Sequence, residues 1–468
     1  MSDLLTRRQF LKELGLAGAG VALAPLAAKG LPADYLNARA DEESPTHTAQ
    51  RPSWAKPSDK PTTEIDWTVM QRFDERKSAR TGLAVYIGKD KADALSKAQG
   101  DNAARFLKDG RPGYTLKDVA LQAASGTGAS PQSFLGPEKV TTPADRGVPT
   151  WTGSPEEANS VVTAALRHLG AATVGVVELD PNTTEKLIYC NDPDGKELVF
   201  ADVDQPAEED KRRVIPRKAR WVIVYTVQMS EETLKRAPTV LGTQTTNLTY
   251  TRNRNIQYRL QTFLRSLGYM AMGESSTNAL GIAPAMAVMA GLGEMSRLNR
   301  LITPEYGPMV REFKLITDMP MAPTRPINAG ILRYCETCKK CATACPVQAL
   351  SMDYQPTWTV RGGWNNAGHK AFFEDSTRCR EGWSRQGTNC GICFATCPYS
   401  SKDRALIHQF VWGVSASTPA MNGFFKAMHD ATFGPPRPDG QPLKDPDKWW
   451  TLDLPEYGID TRLGHKDG

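Results

Sequence analysis

The sequence predicts an α+β fold followed by a small metal-binding unit, and three observations lead to this class. Two stretches repeat the order helix, glycine, apolar strand, first around Gly170 and again around Gly268. Eight of the nine cysteines lie between Cys335 and Cys397, whereas a disulfide scaffold would spread them along the chain. The composition, with 40% apolar and 23% charged residues, is that of an ordinary folded protein.

Length and charge exclude several classes of protein. The 468 residues allow about two to four domains. Residues 1–40 carry five of the basic and three of the acidic side chains, so the remainder has 52 basic and 49 acidic residues and a net charge of +3. That charge is too small to indicate nucleic acid or an anionic membrane surface as a partner. No apolar stretch reaches the ~18 residues of a membrane span.

The first forty residues have the pattern of an export signal. Arg7 and Arg8 precede Phe-Leu-Lys and a short apolar stretch over residues 14–28, which is the twin-arginine order. Cleavage is expected after Ala40 or near Ala28, and the alternative is a frayed helix with a chance arginine pair. Because the twin-arginine pathway carries folded proteins, the pattern predicts an exported protein that acquires its cofactors in the cytoplasm.

Helix and strand signals divide residues 41–330 into two parts. Residues 41–150 are predicted to be a lead-in with short helices, and residues 151–330 an α+β core. Ser154 has the character of an N-cap before a helix that ends at Gly170. The predicted elements are helices over 92–107, 155–169 and 255–267 and strands over 173–179 and 221–227. Residues 279–300 are small, which suits either a close approach to a large flat ligand or tight helix packing.

The cysteines form two runs typical of iron–sulfur proteins. The runs end alike in Cys-Pro and differ in their first gap: Cys335-x2-Cys338-x2-Cys341-x3-Cys345-Pro346 and Cys379-x10-Cys390-x2-Cys393-x3-Cys397-Pro398. In two-cluster ferredoxins the fourth cysteine of each run binds the other cluster. We therefore expect two [4Fe–4S] clusters, one held by Cys335, Cys338, Cys341 and Cys397 and the other by Cys379, Cys390, Cys393 and Cys345. Zinc is the rival metal, but its ligands usually form two separated pairs. Cys190 is expected to be a buried free thiol.

The long region before Cys335 calls for a further redox function. A two-cluster ferredoxin does not need an N-terminal region of this length. No GxGxxG motif for binding a dinucleotide follows a predicted strand. We therefore expect this region to hold another redox cofactor or to dock a redox partner.

The whole pattern resembles the catalytic subunit of the respiratory reductive dehalogenases. The order of export signal, apolar core and two cysteine runs covers nearly the whole chain. Local blocks add to the resemblance: residues 263–269 (FLRSLGY), 291–294 (GLGE), 302–308 (ITPEYGP) and 315–320 (LITDMP). The resemblance implies a nitroreductase-like corrinoid-binding domain over 151–330, a ferredoxin-like domain over 331–405 and a C-terminal wrapping segment over 406–468.

Activity and partners follow from the same resemblance. It implies removal of halide from a small organohalide in anaerobic respiration, on the outer face of the cytoplasmic membrane. It also implies a small integral-membrane anchor protein and an upstream membrane electron donor, with no nucleic acid, and leaves a homodimer open. None of the six histidines lies in the Asp-x-His-x-x-Gly motif that supplies a lower ligand to cobalt. A corrinoid would therefore be bound base-off.

Three residues match the catalytic positions of the resembling family. Tyr250 would donate a proton, Arg311 would stabilise the resulting phenolate, and Asn278 would orient the hydroxyl or the halogen. On pattern alone Tyr250 reads as a strand residue, Asn278 as a helix cap and Arg311 as a surface ion-pair partner. Trp383, in the longer cysteine gap, either lines the pocket or only packs.

Two rival functions stay open at this point. Epoxyqueuosine reductase is a related corrinoid and two-cluster enzyme that acts on tRNA, but the arginine pair and the weak basic charge count against it. An exported electron-transfer subunit without a substrate is the other rival, and the length of the core counts against that one.

Overall fold

The computed structural model describes residues 51–126, 131–400 and 406–459. The predicted export signal, residues 1–40, lies outside the described residues. In the part that is described, no helix is long and apolar enough to cross a membrane.

The described residues form both α-helices and strands, and the chain ends in a run of helices after the last strand. The helices are α1 Leu83–Ile87, α2 Lys89–Lys108, α3 Leu116–Gly126, α4 Pro155–Leu169, α5 Glu231–Leu234, α6 Val240–Leu267, α7 Ala283–Met289, α8 Ile331–Cys338, α9 Lys340–Ala344, α10 Ser376–Gln386, α11 Ile392–Thr396, α12 Leu406–Ser417 and α13 Asn422–Phe433. The strands are β1 Lys56–Pro57, β2 Thr173–Glu178, β3 Glu197–Ala201, β4 Ala207–Glu208, β5 Arg212–Pro216, β6 Trp221–Gln228, β7 Glu294–Met295, β8 Leu301–Ile302, β9 Val310–Thr317 and β10 Ile327–Asn328.

A three-stranded antiparallel sheet in the order β2-β6-β9 forms the centre of the first part. Its middle strand, β6, is apolar on both faces. Ile223 and Tyr225 pack with residues of α4 and α6, whereas Val222 and Val224 pack on the opposite side with residues of α7. Burial on both faces explains why β6 reads as a continuous apolar run. The result is the predicted mixture of helices and sheet.

The caps of α4 agree with the prediction, but the start of α6 does not. The Ser154 hydroxyl accepts the Glu157 N–H at 3.1 Å, and Gly170 ends α4 at φ +109°. Helix α6 was expected over 255–267 and begins instead at Val240. Its first half is rich in threonine, which has low helix propensity, and most of it is buried, so tertiary packing stabilises it. The reading of Tyr250 as a strand residue is therefore wrong.

The cysteine-rich part has a separate core. Tyr334, Tyr399 and Trp412 pack together, and the last two rings stack at 3.9 Å. Helix α13 contacts α8, which carries the first cysteines. Beyond α13, Trp449 and Trp450 donate hydrogen bonds to the side chains of Thr233 and Asp118, so the end of the described chain crosses back onto the first part.

Candidate active site

A cavity of about 770 Å³ lies between the sheet-containing part and the cysteine-rich part. Its walls include all three predicted catalytic side chains, Tyr250, Asn278 and Arg311, although they come from a helix, a turn and a strand. The volume is within the usual range for cofactor and ligand sites.

Tyr250 and Arg311 face each other across the junction of α6 and β9. The Arg311 guanidinium lies 5.9 Å from the centre of the Tyr250 ring and 5.2 Å from that of Phe394. Phe313 holds the Tyr250 ring edge-on at 5.8 Å. Among the described residues Arg311 forms no ion pair, and its buried Nε has no hydrogen-bond partner. The reading of Arg311 as a surface ion-pair residue is therefore wrong.

Asn278 occupies a turn rather than a helix cap. Its φ is +65°, a left-handed conformation that asparagine adopts more readily than most residues. The cap of the following helix, α7, is Ile282. The turn puts Asn278 in the wall of the cavity, and Ala283 and Ala285 of α7 line it nearby.

The eight cysteines of the two runs separate into the two predicted groups. Four of them, together with Tyr334 and Tyr399, line a second and much narrower cavity: Cys335, Cys338, Cys341 and Cys397. The other four line the large cavity: Cys345, Cys379, Cys390 and Cys393. The fourth cysteine of each run thus lies with the opposite run. None of the nine cysteines forms a disulfide. Cys190 is half-buried, so the prediction that its thiol is buried is wrong.

The surroundings of the cysteines disfavour the charged thiolate form unless a cation is bound nearby. Burial, with a smaller contribution from neighbouring thiols, raises the pKa of Cys335 and of Cys390 to about 12. A bound metal supplies the positive charge that deprotonates such ligands. The donor set therefore fits a metal cluster better than isolated thiols.

Two arginines that sequence reasoning missed support the cysteine groups. Arg297 is 1% exposed and donates from Nε and Nη2 to the carbonyl of Cys335 at 2.9 and 2.8 Å. Arg300 forms a 3.0 Å ion pair with the buried Glu374 in the wall of the large cavity. Both lie in an irregular loop, where no local periodicity marks them.

Further polar groups in the wall of the cavity were also missed. Burial lowers the pKa of His369 to about 4, so its ring is neutral at pH 7. Within the described residues, the buried His369 Nδ1 and Arg380 Nε have no hydrogen-bond partner. The Arg380 guanidinium lies 4.6 Å from the Trp383 ring, and Trp383 lines the cavity. Only Trp383 had a signal in the sequence, its place in the longer cysteine gap.

Comparison with known proteins identifies the family. A family model described as a reductive dehalogenase subunit matches residues 50–321, more than half of the chain. The chain belongs to the reductive dehalogenase family. A second model, a 4Fe–4S double cluster binding domain, matches residues 334–400 and contains all eight cysteines of the two runs. The dehalogenase core is therefore followed by a double-cluster domain, as predicted.

Named members of the family extend this result. A tetrachloroethene reductive dehalogenase of Sulfurospirillum multivorans is 35% identical over 60% of this chain and 58% of its own length. A trichloroethene reductive dehalogenase of Dehalococcoides mccartyi is 26% identical over 97% of this chain and 98% of its own length. This dehalogenase homologue thus spans little more than half of the first relative and nearly all of the second.

Solved structures agree with the fold. The catabolic reductive dehalogenase NpRdhA superposes with a TM-score of 0.61 over 84% of this chain and 50% of its own, at 22% identity. Another solved structure, with a TM-score of 0.58, is described as suggesting a mechanism for B12-dependent dehalogenation. The chain therefore has the reductive dehalogenase fold.

An epoxyqueuosine reductase of Bacillus subtilis matches only 24% of the chain, at 33% identity.

Proposed function

We propose that this chain catalyses reductive dehalogenation of a small organohalide, with a base-off corrinoid in the large cavity and two [4Fe–4S] clusters. In the overall reaction R–X takes up two electrons and one proton, and gives R–H and halide. One observation carries the proposal: the same cavity is bounded by Tyr250, Asn278 and Arg311 on one side and by four cysteines of the cluster domain on the other.

The cavity fits a large polar-edged cofactor. In the described part of the chain, four buried polar atoms without hydrogen-bond partners belong to residues of its wall: Thr63 Oγ1, Arg311 Nε, Arg380 Nε and His369 Nδ1. A buried polar group without a hydrogen bond is costly, and amides at the edge of a corrinoid would supply partners. Ala283 and Ala285 leave room for a flat ring.

The residues of the wall divide the chemistry between them. The corrinoid would supply two-electron chemistry at cobalt when bound, and the clusters would supply the electrons. The Tyr250 hydroxyl donates the proton to the carbon that loses halide. The Arg311 guanidinium stabilises the phenolate, because it keeps its charge at any accessible pH. Asn278 orients the hydroxyl or the halogen. The aromatic wall around Tyr250 excludes water from this transfer.

The two cysteine groups suggest the direction of electron flow. The group with Cys379, Cys390, Cys393 and Cys345 borders the cavity and would pass electrons to the cofactor. The group with Cys335, Cys338, Cys341 and Cys397 would receive them from the donor.

The wider organisation is proposed on the family relationship. We assign a nitroreductase-like corrinoid domain to residues 151–330, a ferredoxin-like domain to 331–405 and a wrapping segment to 406–468. Residues 1–40 would direct twin-arginine export, so that the enzyme works on the outer face of the cytoplasmic membrane with a small membrane anchor protein and a membrane electron donor.

The test is halide release from a panel of chlorinated ethenes, alkanes and phenols, with anaerobically reconstituted protein and an artificial reductant. Replacing Tyr250 by Phe keeps the ring and removes the hydroxyl, so turnover should fall ~100-fold or more while the cobalt content stays unchanged. Absence of halide release across the panel from fully loaded wild-type protein would overturn the proposed function. Wild-type turnover in the Tyr250→Phe variant would exclude Tyr250 as the proton donor but would leave the proposed function standing.

A further inference from the structure

We infer that a buried ion pair between Glu274 and Lys314 positions Asn278 relative to Tyr250 and Arg311. The inference rests on the proposed function. Neither member of the pair lines the cavity, so both would act through the residues that do. They are positioning residues rather than catalytic ones.

The pair joins the segment before Asn278 to the edge of the sheet. Met272 and Ile316 exchange backbone hydrogen bonds at 2.9 Å, which extends the sheet beyond β9. In this antiparallel register Glu274 stands beside Lys314. Their side chains are 2% and 0% exposed, and the Lys314 Nζ lies 2.5 Å from Glu274 Oε1. Because Lys314 follows Arg311 by three residues on β9, the pair links the two segments.

A second link joins Glu274 to the helix that carries Tyr250. Gln257 of α6 donates from Nε2 to the Glu274 carbonyl at 2.9 Å and accepts the Glu274 N–H at 3.2 Å. Gln257 follows Tyr250 by seven residues, two helical turns on the same face. Glu274 is therefore held at once by the helix of Tyr250 and, through Lys314, by the strand of Arg311.

The backbone after Glu274 needs such support. Asn278 and Leu280 have φ values of +65° and +74°, and the second is costly for a leucine. Backbone of this kind persists only where its surroundings impose it. A buried ion pair is also a poor source of net stability compared with apolar side chains of similar size. The position of the ion pair between β9 and the Asn278 turn is therefore better explained by a role in holding the turn in place than by a contribution to stability.

The double variant E274M/K314M separates positioning from stability. Removing both charges leaves no unpaired buried charge, so the apparent melting temperature and the iron and cobalt contents should match those of wild type. Turnover should nevertheless fall ~10-fold or more, with KM changed far less, because a displacement near 1 Å in the reacting groups is that costly. The matched control is T173V/T226V, which removes another buried polar pair of the same sheet, with oxygens 2.7 Å apart, and should keep wild-type turnover.

The coupling to Asn278 decides the outcome. If Glu274 acts through Asn278, then E274M/K314M should lose most of its effect on turnover in an Asn278→Ala background. If the double variant fails to fold, Gln257→Met serves instead, because it keeps the ion pair and removes the link to α6. Its turnover should fall by a similar factor, and this effect should also be lost in the Asn278→Ala background. Wild-type turnover in the folded double variant or in Gln257→Met, or undiminished effects in the Asn278→Ala background, would overturn the inference. Activity of the wild-type enzyme in the same assay would leave the proposed function standing.

Discussion

Replacement of Arg311 by Met tests the electrostatic part of the mechanism. The guanidinium lies 5.9 Å from the centre of the Tyr250 ring, over which the charge of a phenolate spreads. For unit charges at this distance and an effective dielectric constant of about 20, the attraction is about 2.8 kcal/mol. Losing it in the transition state should lower turnover roughly 100-fold. The turnover of Arg311→Lys should lie between that of wild type and that of Arg311→Met, because lysine keeps the charge but is a compact, strongly hydrated cation.

The assay is halide release with an artificial reductant, and iron and cobalt contents show that the site survives. Arg220→Met removes an exposed arginine paired with Glu178 and should leave turnover unchanged. In the double variant with Tyr250→Phe, loss of Arg311 should have little further effect, since no phenolate forms. Arg311→Met with full cofactor content and turnover within threefold of wild type would refute the electrostatic role.

Three further predictions concern the clusters, pH and export. Cys341→Ser should lower the iron content by about one cluster, whereas Cys190→Ser should leave it unchanged, and equal contents in the two variants would contradict the ligand assignment. The pKa of His369 is about 4 in the folded chain against 6.5 when unfolded, so the unfolded chain binds more protons as the pH falls through this window. This group should therefore reduce the apparent free energy of unfolding by about 2 kcal/mol between pH 7 and pH 5, and His369→Asn should lack that part of the pH dependence in denaturant titrations. Arg7→Lys with Arg8→Lys should leave folded, loaded protein in the cytoplasm on fractionation, and unchanged export would show that residues 1–40 have another role.

Features that depend on local spacing were predictable from the sequence. The two cysteine runs predicted how the eight thiols would be grouped, because a fixed gap on a short helix determines where each side chain points. The ends of α4 were equally local, since Ser154 and Gly170 act on adjacent backbone groups. The family resemblance then placed Tyr250, Asn278 and Arg311, which the structure brings to one cavity.

Features that depend on tertiary packing were not predictable. The first half of α6 has weak helix formers and becomes helical because it is buried between other elements. Arg297, His369 and Lys314 owe their environments to partners far away in the chain: the Cys335 carbonyl, the wall of the cavity and Glu274. No spacing rule connects these three residues with their partners, which they meet only after the sheet and the cluster domain have formed.

The metal content of anaerobically reconstituted protein tests the central claim most directly. A corrinoid in the large cavity beside two clusters predicts about eight Fe and one Co per chain. Stoichiometric zinc, or about four Fe with no Co, would contradict the account.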